Sequence, residues 1–385
     1  MQRRKMGLLA LGIGFLALLI VGGEYWRFFL AKPPPFSFRS PTPIEHLTLA
    51  DLTPTGVADG GLPSLTDPAF VSIDESDQYL VQDGEGLLVL GRKEQKFYPF
   101  QLLVWHPVVN DTVDGLPVLI TFNPLVWSAT IHTPPGMDKK NSFKASSFLW
   151  NNNVLIEDSA TNSLWSPLRG EAILGQRKGD VLRPCPFDSV IVSWKSVVES
   201  DSNQVKVLAI PSEFDRDYAF NPYGAYQTNA DILFPLQGID ARLPLKERVV
   251  GVVIDGKEVA YPRAIFQTRS VINDTVGNKH VVLFVDPRWE GIRTFSFPVG
   301  EHDSLVFHEE TDRLFDQEGG EWSWDGAPLH PDSQTVVDKK NDLNTISAQT
   351  IKPNVFALEP LERSEVMWLG WYSSYPDTLV YSKDK

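Results

Sequence analysis

The sequence predicts an α+β fold dominated by strands: two diverged copies of a small antiparallel sheet or barrel-like domain after an N-terminal transmembrane helix. Three observations lead there. One stretch of the chain echoes another at constant spacing, short β-branched runs alternate with turn residues, and one long apolar run stands alone near the start. The totals agree: 385 residues with 42% hydrophobic and 22% charged side chains are enough for about two globular domains. A formal net charge of −14 repels nucleic-acid backbones, so nucleic acid is not an expected partner. Cys185 is the only cysteine, which removes any internal disulfide and any zinc site built on several thiolates.

Arg3, Arg4 and Lys5 precede the apolar run from Gly7 to Gly23, and Tyr25 and Trp26 follow it. A basic flank, an apolar span and an aromatic belt in that order describe a membrane anchor with its N-terminus in the cytoplasm. At about 1.5 Å per residue the run covers roughly 25 Å, the lower end of a bilayer core. Gly22 and Gly23 also leave open a cleaved signal segment. Residues 1–30 are thus anchor or signal, and the prolines between residues 31 and 64 make a stiff tether. The expected location is the bacterial cytoplasmic membrane, with the folded domains in the periplasm or outside the cell.

The echo sets the domain organisation. Tyr98 answers Tyr261 (261 − 98 = 163), and Asn110–Val113 and Pro124 answer Asn273–Val276 and Pro287 at the same spacing, without a gap. The resulting division is 65–209 for the first copy, 210–241 for an aromatic linker and 242–385 for the second. Trp165 and Trp322 extend the echo, and the segment around Trp194 resembles that around Trp371. In the second copy Asp255-Gly256 separates two β-branched runs and predicts a primed two-residue hairpin. The following segment up to Asn273 is apolar at near-helical spacing, so both Asn-Asp-Thr triplets read as turns or caps ending a short helix. Arg92-Lys93 in place of Asp-Gly implies that the first hairpin closes differently.

Candidate site residues cluster in the first copy. If the helix ends near Asn110, His106 and Asn110 share a face at i and i+4, where an imidazole could act as base or ligand beside Asp111. Asn153, the last of an asparagine triplet, and Trp165 could join them around one concavity, with Asp158 nearby. The bland alternatives are a turn for the Asn-Asp-Thr triplet and solvated amides for Asn151 to Asn153. His302, His308, Glu309, Glu310 and Asp312 match no metal-site spacing, and Asp215 and Asp217 lack the rest of a calcium loop. No phosphate loop, nucleophile elbow or dinucleotide fingerprint appears. No cofactor or metal is therefore expected. Tyr218, Phe220, Tyr223 and Tyr226 read as packing for the linker.

The run LPSLTDPAFVS, then YPFQLLVWHPVVNDTVDGLPVLITFNPL and LWNNNVLIEDSATNSLWSPLRGEAI, resembles the bacterial family DUF3179, a domain of unknown function. DRDYAFNPYGAY in the linker and WYSSYPDTLVY near the end resemble it too, so the likeness covers nearly the whole chain after residue 60. The resemblance brings no activity with it. It implies a Cys-Pro-Leu-Cys-Gly motif where this chain has Asn123-Pro124-Leu125-Val126-Trp127, so a thiol-based metal or redox site has lost both its thiols here. On the sequence the molecule is a membrane-anchored binding or structural module of the cell envelope. An enzyme with a polar site in the first copy, or a redox or metal protein without its thiols, are the alternatives.

Overall fold

The computed structural model describes residues 42–58, 60–135, 142–200, 204–300, 305–329 and 357–382. The apolar run at Gly7–Gly23 and His302 lie outside them. Among the described residues no helix is long and apolar enough to cross a membrane.

The described residues are β-rich, with six antiparallel or mixed sheets and only short helices among them. The sheets are open, each with edge strands, and not closed into barrels as the sequence reading allowed. Three sheets fall in each half and follow one plan. Sheet A is the hairpin Glu85–Leu90 and Gln95–Pro99, flanked by Asp188–Ser193 and, in parallel, by Val205–Leu208. Its counterpart is Arg248–Ile254 and Lys257–Pro262, flanked by Arg363–Met367 and, again in parallel, by Leu379–Val380. Sheet B is the meander Val108–Val113, Leu116–Asn123, Ser128–Thr133, matched by Val271–Val276, Lys279–Asp286, Gly291–Pro298. Sheet C runs from Phe143–Trp150 through Glu171–Leu174, matched by Phe307–Glu310 through Pro328–Leu329. Each first-half sheet gains one further strand, Thr53–Pro54, Leu65–Thr66 or Phe70–Val71, from the segment before the first hairpin.

Local sequence explains the turns. Asp255 and Gly256 sit at φ 50° and 72°, the left-handed pair that the Asp-Gly dipeptide predicts. Asp114-Gly115 makes the same turn in sheet B, at φ 50° and 80°. The first hairpin closes through residues 91–94, where the Asp114 carboxylate accepts the backbone N–H groups of Arg92, Lys93 and Glu94. Alternation along the strands then sorts the cores. Leu87, Val89 and Tyr98 face sheet B, while Leu88 and Phe97 face the helix Trp194–Glu199.

Two expectations fail here. The Asn-Asp-Thr triplets are not helix-ending turns: the helix Phe100–Leu103 and the 3-10 turn Arg263–Gln267 stop early, and both triplets lie within strands. His106 and Asn110 therefore share no helical face. The tryptophan echo is also out of register. Trp194 donates its backbone N–H to Gly84 O, and the residue that does so to Glu247 O, 163 positions on, is Trp368 rather than Trp371. The spacing has widened to 174 (368 − 194) across the region between Leu329 and Leu358.

The halves join by reciprocal insertion. Val126, at the tip of the sheet B hairpin, lies in the second-half core with Val249, Val366 and Trp371. Trp289, 163 positions on, lies in the first-half core with Leu88, Phe97 and Trp194.

Candidate functional site

Each sequence candidate is held by a protein partner. His106 is fully buried: its Nδ1–H donates to Pro63 O at 2.9 Å, leaving Nε2 to accept from the Tyr218 hydroxyl at 2.7 Å. Burial lowers its pKa, so the neutral ring that these contacts require is the favoured one. It ties the tether and the linker to sheet B. Asn110 bridges sheets B and C, accepting from Phe143 N at 2.8 Å and donating to Phe143 O at 2.9 Å. Asn273 makes the same pair of bonds with Phe307, both at 2.8 Å. Asp111 accepts from Lys96 Nζ at 2.9 Å and Tyr98 Oη at 2.6 Å, and Asp274 accepts from Tyr261 at 2.8 Å.

Asn151 and Asn152 turn the chain at φ 49° and 64°, so the turn is real, but all three amides are buried rather than solvated. Asn153 Nδ2 donates to Gly370 O, Ser373 Oγ and Ser374 Oγ, each at 3.2 Å, and so anchors the helix Trp368–Ser374 of the other half. Trp165 is buried and donates its indole N–H to Asp158 at 2.9 Å, as Trp322 does to Asp316 at 2.8 Å. Burial pushes the Asp158 carboxyl up, but hydrogen bonds from Trp165 and Thr161 outweigh it and hold it below the ordinary range. Asn153 borders a void of about 10 Å³, room for one water, and His106 is not among its lining residues. Where the family resemblance implies cysteines, Asn123 and Val126 are both buried, and Val126 is wedged against Gly370.

Tyr218, Tyr223 and Tyr226 do pack the linker, Tyr226 with its hydroxyl on Leu125 O, while Phe220 is exposed. His308 to Glu310 form a strand edge, and no metal-holding group of His, Cys, Asp or Glu occurs among the described residues.

The polar chemistry that the sequence reading missed lies between the halves. Asp188 of the first half meets Arg293 at 2.6 Å and Arg363 at 2.9 Å, and Arg293 reaches on to Asp286 and Asp325. Burial would raise the Asp188 carboxyl, yet Arg363 and Arg293 together bring it below its ordinary range. Nearby, Glu85 accepts from Arg248 at 2.7 Å and from the Trp127 indole at 2.5 Å, and Arg248 and Arg263 both lie 3.4 Å from Glu365. Beside this second knot opens a groove of about 460 Å³ lined by Arg248, Arg263, Phe266, Val285, Glu290 and Ile292. The signal for it was present: Glu85 and Arg248 are 163 apart, opposite charges in register.

No curated protein and no solved structure matches the chain. The family model described as protein of unknown function (DUF3179) matches residues 59–378, and with more than half its length so covered the chain belongs to that family.

Proposed function

We propose that the chain is a membrane-anchored protein of the cell envelope whose two diverged copies form one non-catalytic binding module. The observation that carries the non-catalytic part is the commitment of His106, Asn110, Asp111, Asn153 and Trp165 to contacts that hold sheets and halves together. A general base needs a free position within hydrogen-bond reach of a substrate, and the titratable members, His106 and Asp111, spend theirs on Tyr218, Lys96 and Tyr98. The groove beside Arg263, of ordinary ligand-site size, is where the module takes its ligand. The basic flank, apolar run and proline-rich tether support the anchored, extracytoplasmic placement. Fractionation of cells expressing the full chain tests it. The protein should stay with membranes through an alkaline carbonate wash and be digested by protease added to spheroplasts but not to intact cells. Recovery in the soluble cytoplasmic fraction with residues 1–30 intact would overturn it.

A further inference from the structure

The groove has an internal template. Its walls lie 163 positions after first-half residues, and in the first half the same place is filled. The two sheet B hairpin loops match residue for residue: Asn123 and Asp286 each accept the backbone N–H two positions on at 3.0 Å, and Trp127 and Glu290 each close the loop in left-handed backbone, at φ 49° and 54°. From that position the Trp127 indole packs edge-on against Phe100 and Phe122, with centroids at 5.4 and 5.2 Å, and gives its N–H to Glu85. In the second half Phe100 becomes Arg263, Phe122 becomes Val285 and Glu85 becomes Arg248. Glu290 accepts from Ser196 Oγ at 3.2 Å and puts no ring in the space, which is the open groove.

We propose that this groove binds a small, neutral, planar aromatic molecule carrying a hydrogen-bond acceptor, seated where the first half seats its own Trp127. The proposal rests on the binding-module reading above and names its ligand class. Planarity follows from the template, a flat indole, and from Arg263 in the place of Phe100, since a guanidinium can stack on an aromatic face. The acceptor follows from the reversal of polarity: the indole N–H meets a carboxylate in the first half, and the corresponding wall of the groove is cationic. Arg263 is about one-third exposed (32%) and meets Glu365 and Glu85 only at ion-pair distances of 3.4 and 3.8 Å, so its N–H groups can serve a ligand oxygen. Neutrality follows from the carboxylates. Glu85 and Glu365 already balance the two arginines, and Glu247 and Glu290 add negative charge in the lining, which penalises a full anion.

The test is ligand-observed NMR and calorimetry on the full-length protein, with indole-3-carboxamide as the probe and cyclohexanecarboxamide as the non-planar control. The aromatic amide should bind with a Kd below about 1 mM and the control at least about tenfold more weakly. Glu290→Trp supplies the missing ring on a backbone already shaped for it and should abolish binding. Arg263→Ala should weaken binding about tenfold, which keeps the proposal falsifiable if the tryptophan variant fails to fold. Absence of binding at about 1 mM, equal binding of the control, or binding that survives both Glu290→Trp and Arg263→Ala would overturn it. Cellular location does not enter these measurements, so such a failure leaves the anchored envelope reading standing.

Discussion

The two seams between the halves follow one plan and are held by different forces. In one, Asp188–Ser193 of the first half runs beside Gly291–Pro298 of the second, with Trp289 inserted. In the other, Ser128–Thr133 runs beside Arg363–Met367, with Val126 inserted. The apolar part is shared, but the polar part has diverged. The first seam carries the buried Asp188, Arg293 and Arg363 charges. The second carries His132, buried and, among the described residues, without a partner on Nδ1, at 3.5 Å from a half-exposed Glu362. Shape fixes how the halves meet, while charge is free to differ from seam to seam.

That contrast breaks most visibly at Arg293. Arg293→Ala leaves Asp188 and Asp286 short of a buried counter-charge and should cost about 3–5 kcal/mol in denaturant unfolding. His132→Leu in the other seam should change stability by less than about 1 kcal/mol at pH 8. Equal losses in the two variants would show that the seams are not held differently after all.

The next effect appears with pH. Burial lowers the His132 pKa from its ordinary 6.5 to about 4. The unfolded chain therefore takes up a proton that the folded one refuses, and stability falls as pH drops from about 6.5 to about 4, by at most about 3 kcal/mol. His132→Leu should flatten that slope, apart from the smaller share from His106, whose pKa burial lowers in the same direction. The Asp188 carboxyl, held below its ordinary range, contributes stability that is present above about pH 4 and lost on further acidification. Thermal melts at a series of pH values check both, and a slope unchanged in the leucine variant would remove His132 from the account.

Smaller effects sharpen the packing half of the comparison. A Cβ added at Gly370 would lie 2.6 Å from Val126 Cβ, so Gly370→Ala should destabilise by about 1–2 kcal/mol. Val126→Ala keeps that Cβ but removes the Cγ methyls, which lie 2.8 and 3.0 Å from the same point, and should relieve part of the loss, giving a coupling of about 1 kcal/mol in a double-mutant cycle. Purely additive losses would mean that the loop does not press on the helix. Smallest of all is the difference between the two asparagine bridges. Asn110→Ala should cost about 0.5–1 kcal/mol more than Asn273→Ala, because Asn110 also donates to Leu65 O at 3.3 Å on an additional edge strand.

The strand content, the Asp-Gly hairpin and the register through Pro287 were legible because each rests on local turn chemistry or on alternation. The Asn-Asp-Thr triplets misled for a physical reason. Asn and Asp favour turns because their side chains usually bond to nearby backbone, and here Asn110 and Asp111 bond instead to Phe143 and Tyr98, which a local reading does not weigh. Trp371 was matched to Trp194 because the spacing changes in a stretch without an echo. The groove was legible only as a substitution within the register, Glu290 for Trp127, and its volume depended on which wall residues changed with it.

The contact of Glu85 with Arg248 has one more consequence. The two residues occupy the same station in their respective halves and meet each other at 2.7 Å, so they sit where the approximate symmetry of the molecule folds onto itself. Two first halves meeting in this way would set Glu85 against Glu85, and two second halves would set Arg248 against Arg248, like charges at a half-buried point. The pair thus works as a lock against self-recognition. Pairing between matching halves of neighbouring chains is thereby disfavoured, whereas exchange of unlike halves, which preserves the Glu85–Arg248 pair, is not.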